Sequence, residues 1–342
     1  MLLKELTESS GPSGFETEVR DLIRKEAQPY ADRVYTDALG SLIVETGVQH
    51  PGPKVLIAAH MDEVGLMIVG ITPEGLLRFR AIGGVDTRIL VAKSVRVGRD
   101  RLFGVIGSKA VHLQESGERD IPLKLEQLFI DIGARSQEQA RKYIQEGDFA
   151  VFTTVYEEMG DGRAKAKSFD DRVGCAIALD TLKQKFSIPV TYAFTVQEEI
   201  GLRGAGPVAY RVKPDLAFVL EGTVCSDVVG TPSHGEGTRL GAGPALSVVD
   251  RKTIVDRRML DFLMAIAHDN NIPYQLRRVL GGANDAGAIH LTEMGILSAA
   301  ISVPTRYIHA PSQEISLDDV AHSQQLLVAA LRRIEQGGYP SI

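Results

Sequence analysis

Near the start of the chain, apolar residues recur at helical spacing, and further on they form unbroken runs. The spacing predicts a short first helix, a glycine-rich turn over residues 11–14 and a second helix from about residue 16 to residue 28. Residues 54–59 form a continuous apolar run of strand length, which is typical of a strand covered on both faces. His60 and Asp62 therefore follow the carboxyl end of a buried strand, where open α/β sheets bind their ligands.

Between about residues 65 and 165 the pattern changes to short runs in which apolar and polar positions alternate. Such runs, separated by turn residues, predict a small β-rich domain. The predicted strands cover residues 65–71, 76–81, 94–97, 103–106 and 128–131, with one helix near 136–145. After Ser168, helices are predicted over residues 172–185, 253–270 and 317–335, and strands over 189–196, 216–220 and 296–301.

Hydrophobic runs at five places in the chain end in a side chain that can bind a metal. These positions are His60 with Asp62, Asp170 with Asp171, Glu198 with Glu199, Glu221, and His309. Two histidines, several carboxylates and a spare glutamate are what a two-metal hydrolase needs to bind and activate water. Because these residues lie on both sides of the β-rich stretch, we predict that residues 66–165 are inserted into an α/β body made of residues 1–65 and 166–342.

The composition fits an ordinary globular protein. The chain has 342 residues, of which 44% are apolar and 24% charged, and its net charge of −6 is not accompanied by a basic cluster. We therefore expect no nucleic-acid partner, and no apolar run approaches the length that a membrane span requires. The N-terminus lacks the features of a signal peptide, and Cys175 and Cys225 stand in apolar surroundings, so we expect a cytoplasmic protein.

The paired acids admit more than one interpretation. Helix capping explains one of Asp170 and Asp171, but not the second carboxylate. We assign the bridge between two cations about 3.5–4 Å apart to Asp170 and leave Asp171 as a cap or supporting residue. Glu198 and Glu199 follow a strongly apolar strand, where two unpartnered acids would be costly. One of them is expected to bind a metal and the other to act as general base.

The order and wording of the motifs resemble the M42 family of metallo-aminopeptidases, the deblocking or glutamyl-aminopeptidase-like group of the two-metal exopeptidases. The resemblance covers nearly the whole chain. It is carried by residues 11–16 (GPSGFE), 59–65 (AHMDEVG), 168–172 (SFDDR), 196–205 (VQEEIGLRGA), 282–286 (GANDA) and 304–309 (PTRYIH). This chain has Glu221 where the family often has Asp, Asn284 for a commoner Thr and Ala310 for a commoner Ser.

The resemblance implies a three-layer αβα catalytic domain with a central mixed sheet and an inserted small β-barrel-like domain that serves in dimerisation. It assigns one metal to His60, Asp170 and Glu221 and the other to Asp170, Glu199 and His309. Glu198 becomes the general base and Asp62 orients His60. It also implies two divalent ions per subunit, with zinc or cobalt favoured and manganese acceptable, and homo-oligomers in which dimers form a dodecamer.

The resulting hypothesis is an aminopeptidase that releases N-terminal residues from peptides by metal-activated attack of water, with Glu198 as the base. A two-metal deacylase or carboxypeptidase stays open, since the same scaffold supports both. Peptides with free and acetylated N-termini would separate these activities. A glycoside hydrolase that uses two carboxylates would need no metal and would resist a chelator. A non-catalytic assembly protein is the remaining alternative.

Overall fold

The structure is a computed structural model, and it describes residues 2–115, 117, 120–232, 235, 237–278 and 280–340. Its helices are α1 Leu3–Glu8, α2 Thr17–Ala27, α3 Gln137–Ala140, α4 Phe169–Leu182, α5 Ala205–Val212, α6 Arg257–Asp269, α7 Ala286–Ile289 and α8 Leu317–Glu335. Its strands before α4 are β1 Arg33–Thr36, β2 Leu42–Thr46, β3 Val55–His60, β4 Gly65–Ile71, β5 Leu77–Ile82, β6 Ser94–Val97, β7 Leu102–Gly107, β8 Phe129–Asp131, β9 Phe149–Phe152, β10 Glu157–Met159 and β11 Arg163–Ala166. After α4 come β12 Val190–Thr195, β13 Leu216–Val224, β14 Ala245–Ser247, β15 Gln275–Arg277, β16 Leu297–Arg306 and β17 Gln313–Ser316.

A mixed sheet of 11 strands forms the centre of the molecule, with the main order β1-β2-β12-β3-β13-β16-β17-β11-β10. The four neighbours β12, β3, β13 and β16 are parallel, so their carboxyl ends meet at one edge of the sheet. The strands flanking them pair antiparallel. Strand β3 is buried along its whole length, as its unbroken apolar run predicts.

Helices cover both faces of this sheet. The larger apolar core includes residues of α2, α4, α6 and α8, and a smaller core on the other side includes residues of α5 and α7. The sheet is therefore the middle layer of three, which confirms the predicted α/β fold class. Among the described residues, no helix is both long enough and apolar enough to cross a membrane.

A closed antiparallel barrel of six strands, in the order β4-β5-β8-β7-β6-β9, lies within the chain between β3 and α4. It has an apolar core of its own, which includes Leu66, Phe79, Val95 and Ile130. Closure pairs every barrel strand with two neighbours and so leaves no open edge. The predicted barrel-like insertion into the α/β body is thus present in the fold.

Several element boundaries differ from the predicted ones. The helix predicted near residues 136–145 is a single turn, α3, because Lys142 and Tyr143 donate their N–H groups to the third residue back, in the tighter 3-10 pattern. Strands β13 and β16 extend beyond the predicted ends at residues 220 and 301. Each continues because it pairs with the other along nine residues, from Leu216 with Leu297 to Val224 with Thr305.

Candidate metal centre

The four parallel strands bring the predicted residues to one edge of the sheet. His60 is the last residue of β3, and Glu198 and Glu199 lie in the turn that follows β12. Glu221 lies within β13 rather than beyond its end, and His309 follows β16 in a turn. The sequence separation of these residues is large, but the parallel order of the strands makes them neighbours in space.

Asp170, at the start of α4, lies between the two histidines. Its Oδ1 is 3.3 Å from His60 Nε2, and its Oδ2 is 3.4 Å from His309 Nε2. On the first side, Glu221 Oε1 is 3.1 Å from His60 Nε2. On the second, Glu199 Oε2 is 3.1 Å from His309 Nε2. The result is two groups, each of one histidine and one glutamate, which share the Asp170 carboxylate.

Asp171 also lies close to this cluster, since ligand atoms of His60, Asp171 and Glu221 all lie within 4.8 Å of one another. Its two oxygens are already engaged, however. Oδ1 accepts the Gly174 N–H at 3.0 Å, as a helix cap does, and Oδ2 accepts the His60 N–H at 3.1 Å. Glu221 Oε2, by contrast, is buried and has no hydrogen-bond partner among the residues that the structure describes. These contacts suit Asp171 to support the main chain at His60, and they suit Glu221 to coordinate a metal ion.

The Asp62 carboxylate connects His60 to the turn that holds the two glutamates. His60 Nδ1 lies 3.0 Å from the Asp62 main-chain oxygen and 3.3 Å from its Oδ1. Oδ1 accepts the Glu198 N–H at 3.0 Å, and Oδ2 accepts the Glu199 N–H at 3.1 Å. Ser13 Oγ donates a further hydrogen bond of 2.6 Å to Oδ2. Asp62 therefore fixes both an imidazole and the backbone of the neighbouring acids.

The Glu198 carboxylate differs from the others in having no close partner. Its Oε2 is 3.9 Å from His60 Nε2, and no donor among the described residues hydrogen-bonds to its side chain. Burial raises the pKa of Glu198 well above its usual range; His60 opposes this shift, and the Glu221 and Glu199 carboxylates add to it. An unengaged carboxyl with a raised pKa is suited to accept and return a proton.

The electrostatic field of the cluster favours positive charge. Burial lowers the pKa of His309, but hydrogen bonds to Asp170 and Glu199 outweigh burial and raise it to about 11. Burial raises the pKa of Asp170, yet His309 and His60 together bring it below its usual range. Five buried or half-buried acids face two imidazoles here, namely Asp170, Asp171, Glu198, Glu199 and Glu221. This excess of carboxylates and the mixed imidazole and carboxylate donors fit divalent cations.

A cavity of about 680 Å³ opens beside the cluster. Asp170, Glu198, Glu199, Glu221 and His309 line one side of it. The other lining residues include Leu202, Val224 and Leu291, together with Asp250, Lys252 and Arg277. These three charged residues were not predicted as part of the site, although in the sequence Asp250 ends an apolar run as Glu221 does.

Comparison with known proteins agrees with this geometry. The M42 glutamyl aminopeptidase family model matches residues 40–326. A putative aminopeptidase of Acetivibrio thermocellus is 41% identical over 334 residues, which are 96% of this chain and 97% of the relative. The structure of an aminopeptidase from Desulfurococcus kamchatkensis has a TM-score of 0.93 at 37% identity, covering 100% of this chain and 97% of that one.

A Pyrococcus horikoshii TET1 peptidase, described as able to assemble into a tetrahedron or a large octahedral shell, has a TM-score of 0.85 at 36% identity. The match covers 96% of this chain and 97% of that one. The family match, the full-length similarity and the buried cluster of histidines and carboxylates agree with one another. The chain therefore belongs to the M42 glutamyl aminopeptidase family and is a metal-dependent aminopeptidase.

Proposed function

We propose that two divalent cations serve this reaction, one held by His60, Asp170 and Glu221 and the other by Asp170, Glu199 and His309. The observation that carries the proposal is the Asp170 carboxylate, whose two oxygens contact different histidines at 3.3 and 3.4 Å. Mixed imidazole and carboxylate ligands suit zinc, cobalt or manganese. Bound divalent cations would supply a Lewis acid that lowers the pKa of water and polarises the scissile carbonyl.

Glu198 is the general base in this proposal. Its free carboxylate takes a proton from the attacking water and then returns it to the leaving amine. Asp62 holds the His60 ring through Nδ1, so that Nε2 is directed toward Asp170 and Glu221. Asp171 supports His60 from its main-chain side. Asp62 and Asp171 thus orient His60, and Glu198 transfers the proton.

The cavity favours a substrate whose N-terminal residue has an acidic side chain. Arg277 lines the cavity and is only 6% exposed. Its guanidinium donates to the main-chain oxygens of Gly281 and, at 3.4 Å, Val249, and it forms no ion pair with any carboxylate that the structure describes. Burial lowers the pKa of Arg277, and the charges of Asp250 and Glu221 oppose this shift without forming an ion pair with it; one Asp250 oxygen accepts the N–H groups of Lys252 and Thr253 at 2.7 and 2.8 Å. A substrate carboxylate would supply the missing partner for the buried cation.

A panel of aminoacyl reporter substrates tests the activity and its selectivity together. The protein is treated with a chelator and then supplied with zinc, cobalt or manganese. We expect metal-dependent release from glutamyl and aspartyl reporters and from unblocked peptides, but not from their acetylated forms. Cleavage of acetylated peptides at a similar rate would instead support a deacylase or an endopeptidase.

Oligomeric assembly is part of the proposal as well. Apolar side chains on the barrel region are solvent-exposed in the single chain, with exposed fractions of 63% for Phe103, 62% for Leu113 and 66% for Ile121. An exposed group of this kind is typical of a protein interface. We propose that the barrel within residues 66–165 forms the dimerisation domain beside a catalytic domain of residues 1–65 and 166–342, whose central sheet also takes in β10 and β11, and that dimers assemble into a dodecamer. Two unpaired, buried cysteines support a cytoplasmic location.

A further inference from the structure

The conformation of the turn that carries Glu198 and Glu199 needs external support. Gln197, which begins the turn after β12, has a φ of +58°, a left-handed conformation that residues other than glycine rarely adopt. The chain reverses there, and two adjacent acids can then face one site. In an extended strand they would point to opposite faces. The left-handed residue is therefore a requirement of the site geometry.

Three successive N–H groups of this turn are bound by two carboxylates. Asp62 accepts those of Glu198 and Glu199 at 3.0 and 3.1 Å. The Gln197 N–H donates to Glu16 Oε1 at 3.2 Å. Glu16 lies 181 residues earlier in the chain, so this contact connects the N-terminal segment to the turn. The turn is thus held at each of its first three amides.

Glu16 occupies the N-cap position of α2, but its side chain does not cap that helix. Instead Oε1 accepts the Gly14 N–H at 2.8 Å and the Gln197 N–H. Glu16 is only 4% exposed, so its carboxylate is fixed in the interior and does not lie freely at the surface. A buried carboxylate that leaves its own helix uncapped and binds a distant amide is typical of a side chain fixed by another role.

Ser13 acts from the same N-terminal turn on the other carboxylate. It is 4% exposed, and its hydroxyl donates to Asp62 Oδ2 at 2.6 Å, the oxygen that also accepts the Glu199 N–H. The N-terminal turn is itself anchored to the residues that follow β3. The Glu63 N–H donates to the Gly11 main-chain oxygen, and the Gly11 N–H donates to Glu63 Oε1, both at 3.0 Å. Residues 11–16 thus reach the turn that carries both glutamates in two ways, directly through Glu16 and through Asp62 by way of Ser13.

We infer that Ser13 and Glu16 are positioning residues that hold the Gln197–Glu199 turn in the conformation required for proton transfer and metal binding. This inference rests on the roles proposed for Glu198 and Glu199. It gives a function to the glycine-rich N-terminal motif, which contributes no group to the cation site itself. A displacement of the turn by about 1 Å would be enough to lower turnover by up to about 100-fold.

The test compares Glu16→Ala, Glu16→Gln and Ser13→Ala with Glu18→Ala. Glu18 is a matched control on α2, where an exposed ion pair of 3.5 Å with Arg101 has little energetic weight. We expect Glu16→Ala to lower kcat by about 10- to 100-fold and to change KM by less than about threefold. Glu16→Gln keeps an oxygen that can accept both N–H groups, so it should restore kcat to within about threefold of wild type.

Cobalt binding provides a readout that does not depend on activity. Apoprotein titrated with Co²⁺ alone should bind one of the two ions about 10- to 100-fold more weakly in Glu16→Ala, with an altered visible spectrum, because Glu199 is displaced. If wild type cleaves no unblocked peptide, the proposed function fails, but the cobalt titration still tests the positioning role. Folded Glu16→Ala with wild-type kcat and cobalt affinity would overturn the inference.

Ser13→Ala keeps the inference testable if Glu16→Ala does not fold. It removes one hydroxyl and leaves the Glu16 contacts intact. We expect kcat to fall by about tenfold and the melting temperature to fall by less than about 4 °C. A loss of melting temperature without any change in kcat of the folded protein would show a purely structural role and contradict the inference.

Discussion

His60 and His309 contact opposite oxygens of a single carboxylate, that of Asp170, at 3.3 and 3.4 Å. The two histidines are separated by 248 residues but lie at the ends of strands of one sheet, His60 as the last residue of β3 and His309 just after β16, and both strands flank β13 in parallel. Each imidazole has one further carboxylate within 3.1 Å, from Glu221 or Glu199. The symmetry of these contacts makes Asp170 the residue on which both proposed cation sites depend.

Asp170→Asn should therefore weaken the binding of both cations. Removing a residue that only supports a ligand costs about 10- to 100-fold in metal affinity, so removing the shared ligand should cost more than about 100-fold. Metal content after dialysis, measured by mass spectrometry, checks this expectation. Asp180→Asn, in the same helix and ion-paired to Lys183, is the control that should retain its metal. Retention of both cations by Asp170→Asn would remove the bridging role.

Glu198→Gln should separate metal binding from catalysis. The amide cannot accept the proton from water, so we expect kcat to fall by about 10²- to 10⁴-fold while both cations stay bound. Glu199→Gln is the informative comparison, because it changes a proposed ligand and should lower the metal content. Turnover numbers and metal stoichiometry are measured on the same preparations. A Glu198→Gln variant with full turnover would exclude Glu198 as the base.

The buried strands and most residues of the candidate site could be predicted from where apolar runs occur and end in the sequence. Burying a charged residue at the end of an apolar run costs free energy unless the residue has a partner. His60, Glu198 and His309 could therefore be identified as site candidates from the sequence. Helix α8 also has the bounds that its apolar spacing predicts. The predicted family and fold class are confirmed by the comparisons and by the sheet topology.

Features that depend on long-range contacts were missed. No helix is predicted over α5, whose second and third residues are Gly206 and Pro207, although proline is tolerated in the first turn of a helix. Strand β15 has only three residues and no alternating pattern of its own. Arg277 could not be assigned to the cavity, because its position there depends on the pairing of β14 with β16.

Arg277→Met should reduce the preference for acidic substrates. Loss of a hydrogen-bonded charge pair worth about 1.5–3 kcal/mol corresponds to a fall of about 10- to 100-fold in kcat/KM for the glutamyl reporter. The leucyl reporter should change by less than about threefold, since Leu202, Val224 and Leu291 still line the cavity. The ratio of the two values within one preparation cancels any loss of folded protein. An unchanged ratio would contradict the proposed selectivity.

Lys167→Met should destabilise the fold through the buried carboxylate of Glu63. Lys167 Nζ lies 2.7 Å from both Glu63 oxygens, and both side chains are nearly inaccessible. Breaking a buried ion pair costs about 3–5 kcal/mol, because the remaining charge stays buried. We expect a loss of that size in the free energy of unfolding, measured with denaturant, although Arg172 at 3.3 Å retains part of the compensation.

A double-variant cycle isolates this pair. Lys167→Met combined with Glu63→Met should lose less stability than the sum of the single variants, because no unpaired charge remains. Lys183→Met breaks an ion pair that is 40% exposed on the lysine side, and it should cost less than about 1 kcal/mol. Strict additivity of the two buried substitutions would show that the charges do not interact.

Asp227→Asn should change how stability depends on acidity. Partial burial raises the pKa of the Asp227 carboxyl, but the Arg306 guanidinium, at 2.7 and 2.8 Å from its two oxygens, outweighs burial and lowers the pKa to about 2. The unfolded chain has the ordinary pKa of about 3.9, so the pair stabilises the fold above that value. The stabilisation is lost as pH falls through the window from about 4 to about 2.

With allowance for partial solvent exposure, the contribution is about 1 kcal/mol near neutral pH. Unfolding of wild type and Asp227→Asn by urea, followed from about pH 7 down to about pH 3, should therefore give a difference that is constant above about pH 5 and shrinks below about pH 4. Asp261→Asn, at an exposed ion pair with Arg257, should differ little from wild type throughout. An Asp227 carboxyl with an unshifted pKa would be equally protonated in the folded and the unfolded state, so the difference in stability between wild type and Asp227→Asn would not change with pH. A difference that stays constant down to about pH 3 would therefore show that Arg306 does not hold Asp227 in its anionic form.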